Sequence, residues 1–103
     1  CHRDIKPQNF CVGQDENEDD VYIIDYGLSK KYIFEDTQAH IPFQSNQHFV
    51  GTARYGSRNC LQGLTVSRRD DVESFFYMIV EMGTGNLPWS YDMAVHDVKA
   101  RIR

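Results

Sequence analysis

Three polar side chains near the start of the chain have the types and spacing needed to handle a phosphate group. A carboxylate, an ammonium and a carboxamide stand at Asp4, Lys6 and Asn9, with Pro7 between the last two. The carboxylate can accept a proton from an attacking hydroxyl, the ammonium is a compact positive charge, and an amide oxygen is a hard ligand suited to Mg²⁺. Since proline disfavours helix in the preceding residue, we predict a loop in which these groups converge. The alternative is a polar surface turn.

A second candidate ligand, Asp25, follows an apolar run and is itself followed by Tyr26 and Gly27. A carboxylate at the end of a strand, with a glycine after it, can reach a metal ion before the chain turns away. Asp25 is therefore a candidate metal ligand. Asp and Gly also favour turns, so the alternative is an ordinary turn that ends a strand. Asp25 lies sixteen residues after Asn9, across a predicted hairpin, and this position favours the metal ligand.

Two short apolar runs are predicted to form that hairpin. Residues 10–12 make the first strand, and residues 21–24, rich in β-branched side chains, make the second. The connection is longer than most hairpin loops, so a mobile tip is expected. It carries an acidic cluster, interpreted as a solvated loop, that consists of Asp15, Glu16, Glu18, Asp19 and Asp20.

Residues 28–50 have mixed polarity and little periodicity and are predicted to form a long ordered loop, a kind of segment that is usually functional. The stretch 51–59 follows this loop with the sequence GTARYGSRN. Its glycines and small residues indicate a close approach of the backbone to another part of the molecule.

A helix is predicted to begin at Ser67, because serine caps helices and because Asp70 and Asp71 fall in the first turn, where the helix dipole favours negative charge. Gly83 and Gly85 are predicted to end it. Its apolar residues cover nearly the whole circumference, which predicts a buried helix; they are Val72, Phe75, Phe76, Tyr77, Met78, Ile79, Val80 and Met82.

After this helix, residues 87–89 (Leu-Pro-Trp) are predicted to be a hydrophobic anchor. A further helix is predicted from about residue 93 to residue 103, with an apolar stripe at Ala94, Val98 and Ile102. We expect neighbouring elements that are not part of these residues to cover the central helix. Without them Phe75, Phe76 or Trp89 is expected to face solvent, with marginal folding in isolation.

Length and composition indicate one small globular domain with an apolar core. The chain has 103 residues, 41% hydrophobic and 25% charged. A net charge of −4 disfavours a general nucleic-acid or anionic-membrane surface. Neither a membrane-spanning run nor a signal-peptide pattern is present. The three cysteines contain no C-x-x-C pair and fit a reducing compartment, so a cytoplasmic or nuclear location is expected.

The order of several longer motifs resembles the casein kinase I group of protein kinases. The motifs are HRDIKPQNF, VYIIDYGLSKKY, HIPF, GTARYGS, SRRDDVESFFY and LPW. The tau-tubulin kinase-like branch is similar as well, because FFYMIVEM precedes G-x-LPW. The match runs from His2 to about Trp89. It implies an α+β, protein-kinase-like fold in which residues 1–103 form a partial kinase domain, a fragment of the C-terminal lobe with a short β-hairpin, an activation segment and mainly α-helices.

The resemblance also implies roles for individual residues. It makes Asp4 the catalytic base and Lys6 the phosphate-contacting lysine, with Asn9 and Asp25 as the magnesium ligands and ATP as the nucleotide. Lys6, Asn9 and Asp25 together would hold the cofactor. Asp71 would hydrogen-bond to the backbone of the loop around Asp4.

Two further roles concern the substrate. Thr52 would brace Asp4 and Lys6 beside the substrate, which the resemblance implies is a protein Ser/Thr hydroxyl. Arg54 matches an arginine that holds an anion, either phosphate already on the substrate or acidic side chains. The alternative for Arg54 is a structural salt bridge. The lysine that accompanies this arginine in casein kinase I is replaced around Gln47 and His48.

Other parts of a kinase do not occur in these residues. A glycine-rich loop, a V-A-I-K strand lysine and its helix glutamate are all absent from the 103 residues, and the first motif begins directly after Cys1. We expect the chain to be a piece of a longer, monomeric Ser/Thr kinase, without useful ATP affinity or phosphotransfer by itself. The alternative is a short, non-catalytic kinase-like module that binds partner proteins.

Overall fold

The computed structural model describes residues 1–88, and it contains the predicted hairpin. Strand β1, Phe10–Val12, pairs antiparallel with strand β2, Val21–Ile23, in the register Phe10↔Ile23, Cys11↔Tyr22 and Val12↔Val21. A short 3-10 turn at Asp15–Asn17 lies within the connection. All residues of the acidic cluster are exposed, which agrees with the prediction of a solvated loop.

The loop before β1 has the conformation that Pro7 predicts. Lys6 is extended (φ −160°, ψ 161°), and a single 3-10 turn, Pro7–Asn9, follows it. Proline suits the first position of such a turn because its nitrogen has no hydrogen to leave unpaired. The turn brings Asn9 back toward Asp4 and leads directly into β1.

The long segment between the hairpin and the first helix is a loop, as predicted, but it is tied down at several points. An isolated bridge joins Ile33 to His40. The guanidinium of Arg68 lies 4.6 Å from the ring centroid of Tyr32. Further along, the backbone N–H of Gln47 donates to the carbonyl of Gly63 at 2.8 Å. These contacts hold the segment against the two helices.

Two helices follow. Helix α1, Arg58–Leu61, has only four residues and was not predicted. It begins at Ser57, whose hydroxyl oxygen accepts from the N–H of Cys60 at 3.1 Å. Its shortness explains the miss, because four residues carry no periodic pattern.

Helix α2, Arg68–Thr84, begins directly after Ser67, as predicted. The carboxylate of Asp70 accepts the N–H of Ser67 at 2.7 Å and the hydroxyl of Ser57 at 2.7 Å, so one buried carboxylate joins the starts of both helices. Gly85 ends α2 in the left-handed conformation (φ +83°), which glycine adopts without strain. Gly83 lies within the helix, so the prediction that it ends the helix was wrong.

The prediction that α2 is buried on nearly all sides was also wrong for residues 1–88. Met78 is buried, whereas Val72, Phe76 and Met82 are each more than 60% exposed. The apolar cluster is small: Tyr55, Met78 and Leu87 form it, and Phe10, Tyr77 and Val80 pack against it. Too few elements surround the helix here to cover its whole circumference. Leu87 of the predicted anchor is 3% exposed, whereas Trp89 and the helix predicted near residues 93–103 lie outside the described residues.

The described residues therefore form an α+β arrangement of one hairpin and two helices. Within this part of the chain, no helix combines the length and the apolar character that crossing a membrane requires.

Candidate active site

Asp4, Lys6 and Thr52 form one hydrogen-bonded group although Thr52 lies 48 residues from Asp4. The Thr52 hydroxyl donates to Asp4 Oδ1 at 2.9 Å, and Lys6 Nζ donates to Thr52 Oγ1 at 3.0 Å. Lys6 Nζ also lies 3.6 Å from Asp4 Oδ2. The side chains of Asp4 and Lys6 are 13% and 25% exposed, so both charges remain accessible to a substrate. A carboxylate and an ammonium are thus held side by side at a solvent-facing position.

Asn9 lies beside this group and is oriented by Asp4. Its Nδ2 donates to the backbone carbonyl of Asp4 at 2.8 Å and to Asp4 Oδ2 at 3.3 Å. Asn9 is only 6% exposed. Because the amide nitrogen makes these bonds, the amide oxygen keeps its lone pairs for another ligand.

The backbone of Asp25 lies close to Asn9. The N–H of Ile24 donates to the carbonyl of Asn9 at 2.8 Å, so the residue before Asp25 is paired directly with Asn9. Asp25 has a positive φ of 61°, an unfavourable conformation for a residue with a side chain. One of its oxygens, Oδ1, accepts the N–H of Gly27 at 3.2 Å, and the side chain is exposed. The hairpin therefore brings the backbone of Asp25 beside the Asp4 loop.

His2 joins the two parts of the site, a role that the sequence analysis did not assign. Its Nδ1 accepts the backbone N–H of Asp4 at 3.1 Å, and its Nε2 lies 2.9 Å from the carbonyl of Ile24. Since an N–H faces one nitrogen and a carbonyl faces the other, the contacts fit a neutral ring with its proton on Nε2. His2 is 8% exposed, so this bridge is shielded from water. In the sequence, the only signal for this role of His2 was its position in the motif HRDIKPQNF.

Asp71, in the first turn of α2, anchors the loop that contains Asp4. Its Oδ2 accepts the N–H of His2 at 2.7 Å, and its Oδ1 accepts the N–H of Arg3 at 3.0 Å. Arg3 has a positive φ of 71° and donates from Nε to the carbonyl of Leu28 at 2.5 Å. Two bonds to one carboxylate stabilise a backbone conformation that would otherwise be unfavourable.

Arg54 points to a different part of the molecule. Its Nε donates to Glu81 Oε2 at 2.5 Å in a half-buried ion pair, and the hydroxyl of Tyr55 donates to Glu81 Oε1. Burial, and then the bond to Glu81, raise the pKa of Tyr55 to about 12. Glu81 was not singled out from the sequence, where it is one glutamate near the end of an apolar helix.

Cys60 lies behind the Asp4 loop and takes no part in this network. Its Sγ is 3.6 Å from the carbonyl of Val50. Burial raises the pKa of the Cys60 thiol, which keeps it protonated and unreactive at neutral pH.

The structure thus brings Asp4, Lys6, Asn9 and Thr52 into direct contact and places the backbone of Asp25 next to them, while Arg54 is paired with Glu81. Among residues 1–88 there is no group of three or more His, Cys, Asp and Glu side chains that could hold a metal ion. Asn9 and Asp25 each carry a side-chain oxygen of the kind that binds Mg²⁺ together with phosphate oxygens and water.

A model of a known protein family matches the chain over all residues of this site. The family model described as protein kinase domain matches residues 1–103, which is the whole length of the chain. The matched range includes the Asp4 loop, the hairpin, the long loop and α2.

Proposed function

Because this chain belongs to the protein kinase family, we propose that it carries the catalytic and metal-binding loops of an enzyme that transfers the γ-phosphate of ATP to Ser or Thr hydroxyls of proteins. The observation that carries the proposal is the contact between Asp4, Lys6 and Thr52, formed next to Asn9. Phosphoryl transfer requires mainly positioned groups and compensated charge, and this group supplies both.

In the proposed reaction Asp4 orients the attacking hydroxyl and accepts its proton. The Thr52 hydroxyl donates to Asp4 Oδ1 at 2.9 Å, whereas Oδ2 has only the longer contacts with Asn9 Nδ2 at 3.3 Å and Lys6 Nζ at 3.6 Å among the contacts of the described residues, so we assign the proton to Oδ2. Lys6 offers its positive charge to the transferred group, and its bond to Thr52 fixes the direction of the ammonium. A general base must lie within hydrogen-bond reach of the proton it removes, and Asp4 is accessible enough for such contact.

Asn9 and Asp25 fit the requirements for holding Mg²⁺. Both present oxygen atoms, and Asn9 uses its nitrogen to bind Asp4, so its oxygen is the atom left for a metal. Asp25 has one oxygen bonded to Gly27 and a second one for coordination. When bound, the ion would neutralise charge on the ATP phosphates and fix their direction.

We further propose that the enzyme belongs to the casein kinase I group or its tau-tubulin kinase-like branch. The support is the sequence GTARYGS in the long loop and SRRDD at the start of α2, both of which resemble that group. Each stretch contributes to the site, because Thr52 lies in the first and Asp71 ends the second.

A preference for acidic or phosphorylated substrates has weaker support. Arg54 shares its positive charge with Glu81 at 2.5 Å, which favours the structural salt bridge over an anion site. An anionic substrate group would meet the negative charge of Glu81 beside that guanidinium. We therefore propose that this chain does not depend on acidic substrate residues at Arg54.

The second candidate function is a non-catalytic module that binds partner proteins. Its support is the apolar surface that Val72, Phe76 and Met82 offer on α2. The two candidates differ in one measurable property, since only the enzyme turns over ATP.

The deciding experiment uses the complete protein that the transcript encodes, incubated with radiolabelled ATP, Mg²⁺ and casein. We expect label on serine and threonine, and a loss of about 100-fold or more when Asp4→Asn or Asp25→Asn is introduced. Asp36→Asn is the matched control, because Asp36 is an exposed carboxylate whose Oδ1 accepts only the N–H of Thr37. It should label casein as the wild type does.

Two results would contradict the proposal that the protein is an enzyme. One is a complete protein that transfers no phosphate, which supports the binding module. The other is transfer that survives Asp4→Asn unchanged, since the activity would then come from a contaminant or another site. The 103-residue chain by itself is expected to show neither ATP binding by calorimetry nor phosphotransfer, because the nucleotide-holding motifs are absent from it.

A further inference from the structure

Glu81, near the end of α2, binds two consecutive residues of the long loop. Its Oε2 accepts Arg54 Nε at 2.5 Å, and its Oε1 accepts the hydroxyl of Tyr55. The Glu81 side chain is 16% exposed, so water competes little for the two oxygens. A single carboxylate with both oxygens engaged fixes the direction of both partners.

The position of Glu81 in the helix is unfavourable by itself. It lies in the last turn of α2, where the carbonyl ends of the helix dipole repel a negative charge. The guanidinium of Arg54 compensates for that repulsion, and the buried Tyr55 hydroxyl gains the hydrogen-bond partner that it needs. The loop and the helix end therefore stabilise each other.

The residues that Glu81 holds belong to the same tight turn as Thr52. The N–H of Tyr55 donates to the carbonyl of Thr52 at 3.1 Å, and the N–H of Gly56 donates to the carbonyl of Ala53 at 3.3 Å. The ring of Tyr55 is 6% exposed and packs against Met78 and Leu87. A turn of this kind has little freedom once its third and fourth residues are fixed.

We propose that Glu81 is a positioning residue for phosphoryl transfer. Through Arg54 and Tyr55 it fixes the turn that holds the Thr52 hydroxyl between Asp4 and Lys6. The proposal rests on the proposed function, since it assigns a role in the same reaction. Glu81 does not touch the reacting groups; it acts through the hydroxyl of Thr52, which is bonded to both of them.

The test compares Glu81→Gln with Glu73→Gln. Glutamine is uncharged and carries one acceptor oxygen beside a donor NH₂, so the ion pair with Arg54 is lost, and Arg54 Nε and the Tyr55 hydroxyl can no longer each donate to an oxygen of their own. Glu73 is a matched control on the same helix, because it also accepts from an arginine and a tyrosine: Arg58 Nε at 3.3 Å and the Tyr77 hydroxyl at 2.8 Å. It makes no contact with the turn at residues 52–55 among the hydrogen bonds of the described residues.

Two readouts are needed. In the complete protein, Glu81→Gln should lower kcat about tenfold, the effect of weakening one hydrogen bond to a reacting group, with the KM for ATP unchanged. In the same complete protein, NMR spectra should show shifted signals of Thr52, Asp4 and the Lys6 ammonium. Tyr55→Phe, which removes only the hydroxyl, should shift the same signals less and provides a second variant if Glu81→Gln fails to fold. Glu73→Gln should alter neither readout.

The proposal is wrong if Glu81→Gln leaves kcat and the signals of Thr52 and Lys6 as they are in Glu73→Gln while only lowering the melting temperature. That result would make Glu81 a purely structural residue. If the wild-type complete protein transfers no phosphate, the proposed function fails, and the NMR comparison still decides whether Glu81 fixes Thr52. The two failures are therefore distinguishable.

Discussion

Gly51 and Arg3 approach each other so closely that a β-carbon at position 51 would lie 2.5 Å from the carbonyl oxygen of Arg3. Gly51 also has a φ of +98°, which residues with side chains rarely adopt. Its neighbour Thr52 bonds to Asp4, and Arg3 precedes Asp4 in the chain. The close approach of two backbones thus sets how near the long loop comes to the residues that are proposed to perform the chemistry.

We predict that Gly51→Ala destabilises the chain by about 1–3 kcal/mol, through the positive φ and the clash with Arg3. Gly83→Ala is the matched control, with the opposite sign expected. Gly83 lies within α2 and has no atom within 4 Å of its added β-carbon, so alanine should stabilise the helix by roughly 0.5–1 kcal/mol. Urea unfolding monitored by circular dichroism, with a stabilising osmolyte present, measures both. Equal shifts in the two variants would contradict the close-approach explanation.

The local structure around the candidate site was predictable from the sequence where a local rule specified it. Pro7 predicted an extended Lys6, and the β-branched run at residues 21–24 predicted β2. Serine followed by two aspartates predicted the start of α2. Each of these signals lies within a few residues of the structure that it specifies.

The contacts that depend on packing were not predictable in the same way. Glu81 has no local feature that indicates a bond to Arg54, since the two lie 27 residues apart. The apolar pattern of α2 reports only the capacity to be buried; the 61% exposure of Phe76 instead agrees with the expectation for a helix without its neighbouring elements. His2 was visible in a motif, but its bridge to Ile24 requires the hairpin to be folded.

The second prediction concerns Asp71, which accepts the backbone N–H groups of His2 and Arg3. Asp71→Asn keeps the shape but replaces one acceptor oxygen by an NH₂ group, so one backbone N–H loses its partner. We expect a loss of about 1–3 kcal/mol and faster amide hydrogen exchange at residues 2 and 3. Asp36→Asn, at an exposed site, should change neither. Exchange at those two amides that matches the wild type would contradict the anchoring role.

The third prediction compares two methionines of α2. Met78 is 5% exposed and belongs to the apolar cluster, whereas Met82, one helical turn later, is 68% exposed. Met78→Ala should destabilise the chain by about 2–5 kcal/mol because it leaves a cavity beside Tyr55. Met82→Ala removes the same atoms from an exposed position and should stay within about 0.5 kcal/mol of the wild type. If Met82→Ala costs as much as Met78→Ala, another surface covers this side of α2 in solution.

The fourth prediction follows from the raised pKa of Tyr55, about 12 in the folded chain against the ordinary value of 10.0. Between these two pH values the unfolded chain releases the phenolic proton while the folded chain keeps it. Stability is therefore fully present below pH 10 and falls as the pH rises toward 12. Tyr55→Phe has no such proton, so the stability advantage of the wild type over Tyr55→Phe should shrink across this range.

Urea unfolding of both chains at several pH values isolates this effect, because the two chains differ only in the Tyr55 hydroxyl. The Tyr55 ring carbon next to the hydroxyl, followed by NMR, reports the titration directly. Burial raises the pKa of Tyr55, and the bond to Glu81 and its negative charge raise it further. Because Glu81→Gln removes that charge, the Tyr55 hydroxyl of this variant should titrate at a lower pH, closer to 10. A Tyr55 signal that titrates near pH 10 in the wild type would mean that its hydroxyl is neither buried nor bonded to Glu81.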